Sequence, residues 1–198
     1  MTQYARPDGV VAAGSWVDSD EESDPSHLVV DETTANTSDY VMAEDSGSGS
    51  GTIGPLKFSL SDVTDPGVGT GHVLKVHAQL EDLAGMGEVP SLTYALYDTT
   101  VTASSGLIAT KTYDPADGTW AENTIELSST QANTIEDYSA LQLWLTLGER
   151  SSSGSSLIKV TWAVFECPDA SGGGGGGGGG STRGGASSGL SGVSALIC

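Results

Sequence analysis

Three histidines, two cysteines and an excess of carboxylates are the side chains of this sequence that could do chemistry, and their spacing speaks against most of it. His27, His72 and His77 fall in separate segments, and none has a Cys or Asp at metal-ligand spacing. Cys167 and Cys198 show no zinc pattern. Two reduced thiols is the plain reading; an inter-subunit disulfide through Cys198, near a mobile end, is the sharper one. The acidic cluster Asp18, Asp20, Glu21, Glu22 and Asp24 offers oxygen ligands, but an EF-hand loop needs glycine where Ser23 stands and a carboxylate where Val29 stands. A solvated arm that meets a basic patch on a neighbouring subunit fits better. No serine sits in a nucleophile elbow, and no carboxylate pair stands out for acid–base work. The expectation is no catalytic residue, no metal and no cofactor.

Aromatic residues offer recognition instead. Trp144 lies opposite the stripe Leu141, Leu143, Leu145 and Leu147, on a face that should be polar. That position suits a subunit contact, a sugar-stacking platform or packing beneath the N-terminal arm. Trp120 and Tyr97 are the other candidate platform rings. Trp162 shares alternation with Val160 and Val164, which predicts burial in the core. Trp16 stands alone in a polar segment and is expected to plug into the body; it joins Trp144 in the candidate partner-binding set.

The elements that would position these groups read as strands. Residues 1–26 look like an irregular acidic arm containing Pro7, Gly9, Gly14 and Pro25. Strand signals then recur: Leu28–Val30 and Tyr40–Met42 as short strands, Leu107–Tyr113 and Trp120–Leu127 after them, and period-two alternation in Leu56–Leu60, Leu74–Leu80, Leu92–Leu96, Leu141–Leu147 and Ile158–Val164. The Asp114–Gly118 turn is expected to join Leu107–Tyr113 and Trp120–Leu127 as a pair. Ser128 followed by Gln131 is a capping-box spacing and predicts one short helix over about Ser129–Glu136. The fold class expected is all-β, an antiparallel sandwich or jelly roll of about eight to ten strands with one short helix. The organisation expected is an arm (1–26), a sandwich domain (27–169) and a Gly-rich linker with an apolar docking tail (170–198).

That tail is distinctive. Nine consecutive glycines, Gly172–Gly180, separate the strand-patterned body from Leu190, Val193, Leu196, Ile197 and Cys198. The glycines bury no side chains. A spacer of ~17 flexible residues reaches roughly 20–25 Å, enough to cross to an adjacent subunit, so these five residues complete the partner-binding set.

Composition narrows the partners. Against 26 Asp and Glu stand 7 Lys and Arg, and phosphate binding needs cations to displace counterions. Nucleic acid and anionic membranes are therefore not expected partners. No stretch approaches the ~20 apolar residues of a membrane helix, and the polar start does not resemble a signal peptide. Synthesis in a cytoplasm is expected.

The stretch "LKFSLSDVTDPGVGTGHVLKVHAQL" resembles the strand–DP–strand core of β-sandwich structural proteins of tailed bacteriophages. "LSSTQANTIEDYSALQLWLTL", the closing "VTWAVFECP" and the upstream "LVVDETTANTSDYV" are similar to other parts of the same family, over about residues 27–168. The resemblance implies a non-enzymatic virion protein, a capsid decoration or cement subunit or an outer appendage such as a turret or fibre base. Its partners would be major capsid or tail subunits and copies of itself. A carbohydrate- or receptor-binding adhesin on the phage tail is the alternative, with a glycan as partner.

Overall fold

Alternating apolar and polar residues bury one side of a strand and leave the other wet, so the chain folds by pressing the apolar sides of two sheets together. A computed structural model describes residues 1–20, 25–45, 53–83, 90–101, 106–114, 117–148 and 155–170. Among them are eleven strands: β1 (Thr2–Ala5), β2 (Pro7–Ala12), β3 (Val17–Asp18), β4 (Val41–Asp45), β5 (Leu56–Leu60), β6 (Val73–Asp82), β7 (Leu92–Asp98), β8 (Leu107–Tyr113), β9 (Ala121–Glu126), β10 (Leu141–Leu147) and β11 (Ser156–Pro168). One sheet runs β3–β4–β11–β6–β9, with β1 also on β11; the other runs β2–β5–β10–β7–β8. The all-β antiparallel sandwich is therefore as expected. Leu74, Val76, Ala78 and Leu80 of β6 share one buried cluster with the four leucines of β10 and with Leu56, Phe58 and Leu60 of β5. Truncating a leucine here, such as Leu143→Ala, costs about 2–5 kcal/mol.

β11 organises its sheet. One edge pairs with β6 along most of its length; the other is shared by β4 at Ser156–Val160 and β1 at Phe165–Pro168. Between these two, the Val30 carbonyl accepts the Ala163 N–H at 3.2 Å. Here the register with β6 shifts between Val160 and Trp162. Thr161, buried at the shift, donates its hydroxyl to the carbonyls of Asn36 and, at 2.8 Å, Asp39. An extra residue in one strand turns every later side chain to the opposite face.

Several local expectations change. Residues 1–26 do not form an irregular arm where they are described: β1 and β3 extend one sheet and β2 the other, while residues 21–24 lie outside the described set. Leu28–Val30 is not a strand. Ser26 accepts the Leu28 N–H and starts a 3₁₀ turn over His27–Val29. β8 and β9 do not pair; β8 joins β7 and β9 joins β6, so the connection after Tyr113 crosses between sheets.

The helix α1 spans only Ser129–Ala132, with the expected Ser128/Gln131 capping box. The ladder tightens at Thr134 and Ile135, whose N–H groups bond three residues back to Gln131 and Ala132. Beyond them the chain meets Asp98, which is fully buried at the end of β7. One carboxylate oxygen accepts the Glu136 and Asp137 N–H groups at 2.7 and 2.9 Å, so those donors cannot continue a helix. The other accepts the Thr100 N–H and hydroxyl at 2.9 and 2.6 Å. Gly106 closes the same corner in a left-handed conformation (φ 72°), where any Cβ would collide with the Asp98 carbonyl.

Burial raises the Asp98 pKa, but the hydrogen bonds from Thr100, Asp137 and Glu136 outweigh it and hold the carboxyl below its ordinary value. A depressed carboxyl contributes stability above its unfolded pKa of about 3.9, and that contribution is lost as pH falls through the folded value. Asp98→Asn, which exchanges two acceptor lone pairs for N–H donors, should cost about 1–3 kcal/mol. Urea titrations at pH 7 read that loss. The same series between pH 4 and 2 should show a shallower decline in the variant.

Candidate functional site

Of the side chains capable of chemistry, His72 and Cys167 are taken up inside the fold. His72 is buried, and its Nε2 lies 2.8 Å from the Tyr138 hydroxyl. Burial pushes the Tyr138 hydroxyl up to about 12 and the Cys167 thiol up to about 11. Cys167 is free and fully buried, so it is an inert core group. His27 and His77 lie on other elements, and the described residues contain no group of three His, Cys, Asp or Glu able to hold a metal. Of the acidic cluster, Asp18 and Asp20 are described; residues 21–24 are not.

Cations are committed as well. Lys75 pairs with Glu166 and Lys159 with Glu81, both at 2.8 Å across neighbouring strands. Lys111 donates to the Thr124 carbonyl at 2.9 Å, and Arg6 to the Glu32 carbonyl at 3.2 Å. Lys57 lies 3.5 Å from the centre of the Trp144 ring. Each described cation thus has an internal partner, which leaves the outer surface strongly acidic.

Half-buried aromatic groups gather on the outer faces of both sheets. Sheet β2–β5–β10–β7–β8 carries Trp144 on its outer face, as expected from alternation. Tyr97 of β7 stacks on it with ring centres 3.9 Å apart and planes inclined by 26°. Lys57 comes from β5, on the other side of β10. Two groups this near one ring centre cannot share a face, so tyrosine and lysine cover the indole from both sides. Trp144 Nε1 donates to Gln142 at 3.0 Å. The ring therefore stands on edge in a closed box, which removes it as an open stacking platform.

On the opposite outer face lie Tyr40, His77, Trp120 and Trp162, all half-buried. His77 and Trp120 are parallel within 1° at 5.5 Å, and Tyr40 meets Trp120 at 6.1 Å with planes inclined by 54°. Lys159 sits 5.3 Å from the Tyr40 ring. Trp162 pairs across strands with His77, which pairs with Glu122 on its other side. The expected burial of Trp162 beside Val160 is overturned by the shift at Thr161: Val160 points in and Trp162 out. Trp16 is 1% exposed within the core cluster, so it plugs into its own domain and offers no partner surface. Leu190, Val193, Leu196, Ile197 and Cys198 lie outside the described residues.

Burial holds His77 below the ordinary histidine value against the pull of Glu122. His72 is lowered the same way, opposed by the Thr70 backbone and Asp65. The unfolded chain then takes up protons first as pH falls below about 6.5, and stability declines from there towards the folded pKa values. The urea midpoint should be lower at pH 5 than at pH 7.5. His77→Gln should remove part of that difference, and an unchanged pH dependence would show that His77 titrates normally.

No protein-family model and no curated protein matches the chain. Among solved structures it is similar to two cleaved adhesin domains of Lys-gingipain from Porphyromonas gingivalis, at 12% and 15% identity with TM-scores of 0.42 and 0.38, over 84% and 85% of this chain and 99% of each domain. It is also similar to N-terminal modules of an endo-1,4-β-D-xylanase from Clostridium thermocellum, complexed with xylohexaose, at 11% identity and a TM-score of 0.36, over 83% of this chain and 28% of that one. At such distances these likenesses carry no functional argument.

Proposed function

We propose that the chain is a non-catalytic module that works through its surfaces, carried on a tailed-phage virion as a capsid decoration or outer appendage subunit. The observation that carries the non-catalytic reading is the disposition of reactive groups. Asp98, His72, Tyr138 and Cys167 are buried, and each described lysine is held by a partner within the fold. Aromatic rings, by contrast, sit on both outer faces. A strongly acidic shell keeps subunits apart in solution before assembly. The phage placement rests on the sequence resemblance and on the glycine-linked apolar residues.

In this reading the subunit is made in the host cytoplasm and joins major capsid or tail proteins, or copies of itself, through Leu190, Val193, Leu196, Ile197 and Cys198. Deleting residues 172–198 should leave a soluble domain with an unchanged urea midpoint that no longer joins particles. Quantitative mass spectrometry of purified particles reads the copy number. Normal incorporation of the truncated chain would sink the docking role, and absence of the full chain from particles would sink the virion role. An adhesin on the tail is the second reading, favoured by the outward rings of the β4–β11–β6–β9 face.

A further inference from the structure

The two aromatic sets differ in what they leave open. In the Trp144 box both faces of the indole are taken, by Tyr97 and by Lys57. Around Trp120 the packing is looser. The parallel His77 and Trp120 rings have centres 5.5 Å apart, against 3.9 Å for Tyr97 and Trp144. Tyr40, inclined at 54°, makes a corner with Trp120 rather than a lid. The four rings come from four separate places in the chain: the approaches to β4 and β9, and the middles of β6 and β11. An outer sheet face needs no such convergence for folding, since short polar residues serve there. The face also carries a cost, because His77 Nδ1 and Trp162 Nε1 are buried without a hydrogen-bond partner among the described residues.

Charge selects what the corner can hold. Lys159, the cation beside it, is bound by Glu81 at 2.8 Å, and Glu122, exposed, is the cross-strand neighbour of His77. A carboxylate rim repels anions and accepts hydrogen bonds from hydroxyls. Aromatic faces attract the weakly positive C–H side of a sugar ring. We infer that the Tyr40–Trp120 corner, backed by His77 and rimmed by Glu122, is a binding site for a neutral oligosaccharide. This rests on the reading of the chain as a surface-acting module and names the ligand class of one of its faces.

The full chain on an array of neutral, sialylated and uronic-acid glycans should bind neutral members only. Titrating the best neutral oligosaccharide should shift tryptophan fluorescence. Trp120→Leu should weaken binding tenfold or more and Tyr40→Leu several-fold, while Trp144→Leu leaves it unchanged. Thermal unfolding checks that each variant is folded; should Trp120→Leu fail to fold, Tyr40→Leu decides. No neutral glycan above background, selection of acidic glycans, or equal binding by the folded Trp120 or Tyr40 variant overturns the site. Particle content is measured independently, so a chain present on virions but blind to glycans sinks this inference and leaves the virion reading standing.

Discussion

The register shift at Thr161 is the constraint on which the outward aromatic face depends. β11 is long enough to pair with β6 along most of its length while β4 and β1 share the other edge. Before the shift Ile158 and Val160 face the core; after it Ala163, Phe165 and Cys167 do. A strand of unbroken period two would send Trp162 into the core and Phe165 into water. The Thr161 hydroxyl fixes the irregularity by giving the Asn36 and Asp39 carbonyls a donor. The same two bonds pin the loop from which Tyr40 emerges. One residue thus sets both where Trp162 points and where Tyr40 can reach.

Interior polarity follows a related economy. Asp98 and Tyr94 are buried, and each meets a partner: four donors around Asp98, and Asn123 accepting from Tyr94 at 2.6 Å across the two sheets. Buried polar groups satisfied in this way fix one arrangement of the core, because a slipped alternative strands them. The Asp98 corner joins the end of β7, the turn after it and the approach to β10 without a disulfide or metal among the described residues.

Much of this fold was legible because the strands alternate cleanly. Leu56–Leu60, Leu74–Leu80, Leu92–Leu96 and Leu141–Leu147 each bury the residues that period two selects, and the Ser128/Gln131 box marked the start of the helix. What was hidden has a common character: it depends on partners distant in sequence. The segment after the helix is held by Asp98, 38 residues away, which takes the Glu136 N–H. β8 and β9 look like a hairpin locally, yet each finds a different sheet. Residues 2–12 become strands because sheet edges were open to them, not because they alternate. Trp162 was misplaced since a pattern shift of one residue leaves no local mark. Of the platform rings, Trp120 and Tyr97 were visible as aromatics, but only geometry separates a closed box from an open corner.

The pairing of the first strand with the last has a mechanical corollary. β1 lies antiparallel to the end of β11, and Met1 and Asp169 meet there in a 3.2 Å backbone bond and a 3.4 Å ion pair. A load pulling these two neighbours apart would act across the ladder and open its rungs one after another, like a zipper, rather than shearing them together. Tension delivered through this end would peel β1 away at low force while the rest of the sandwich held.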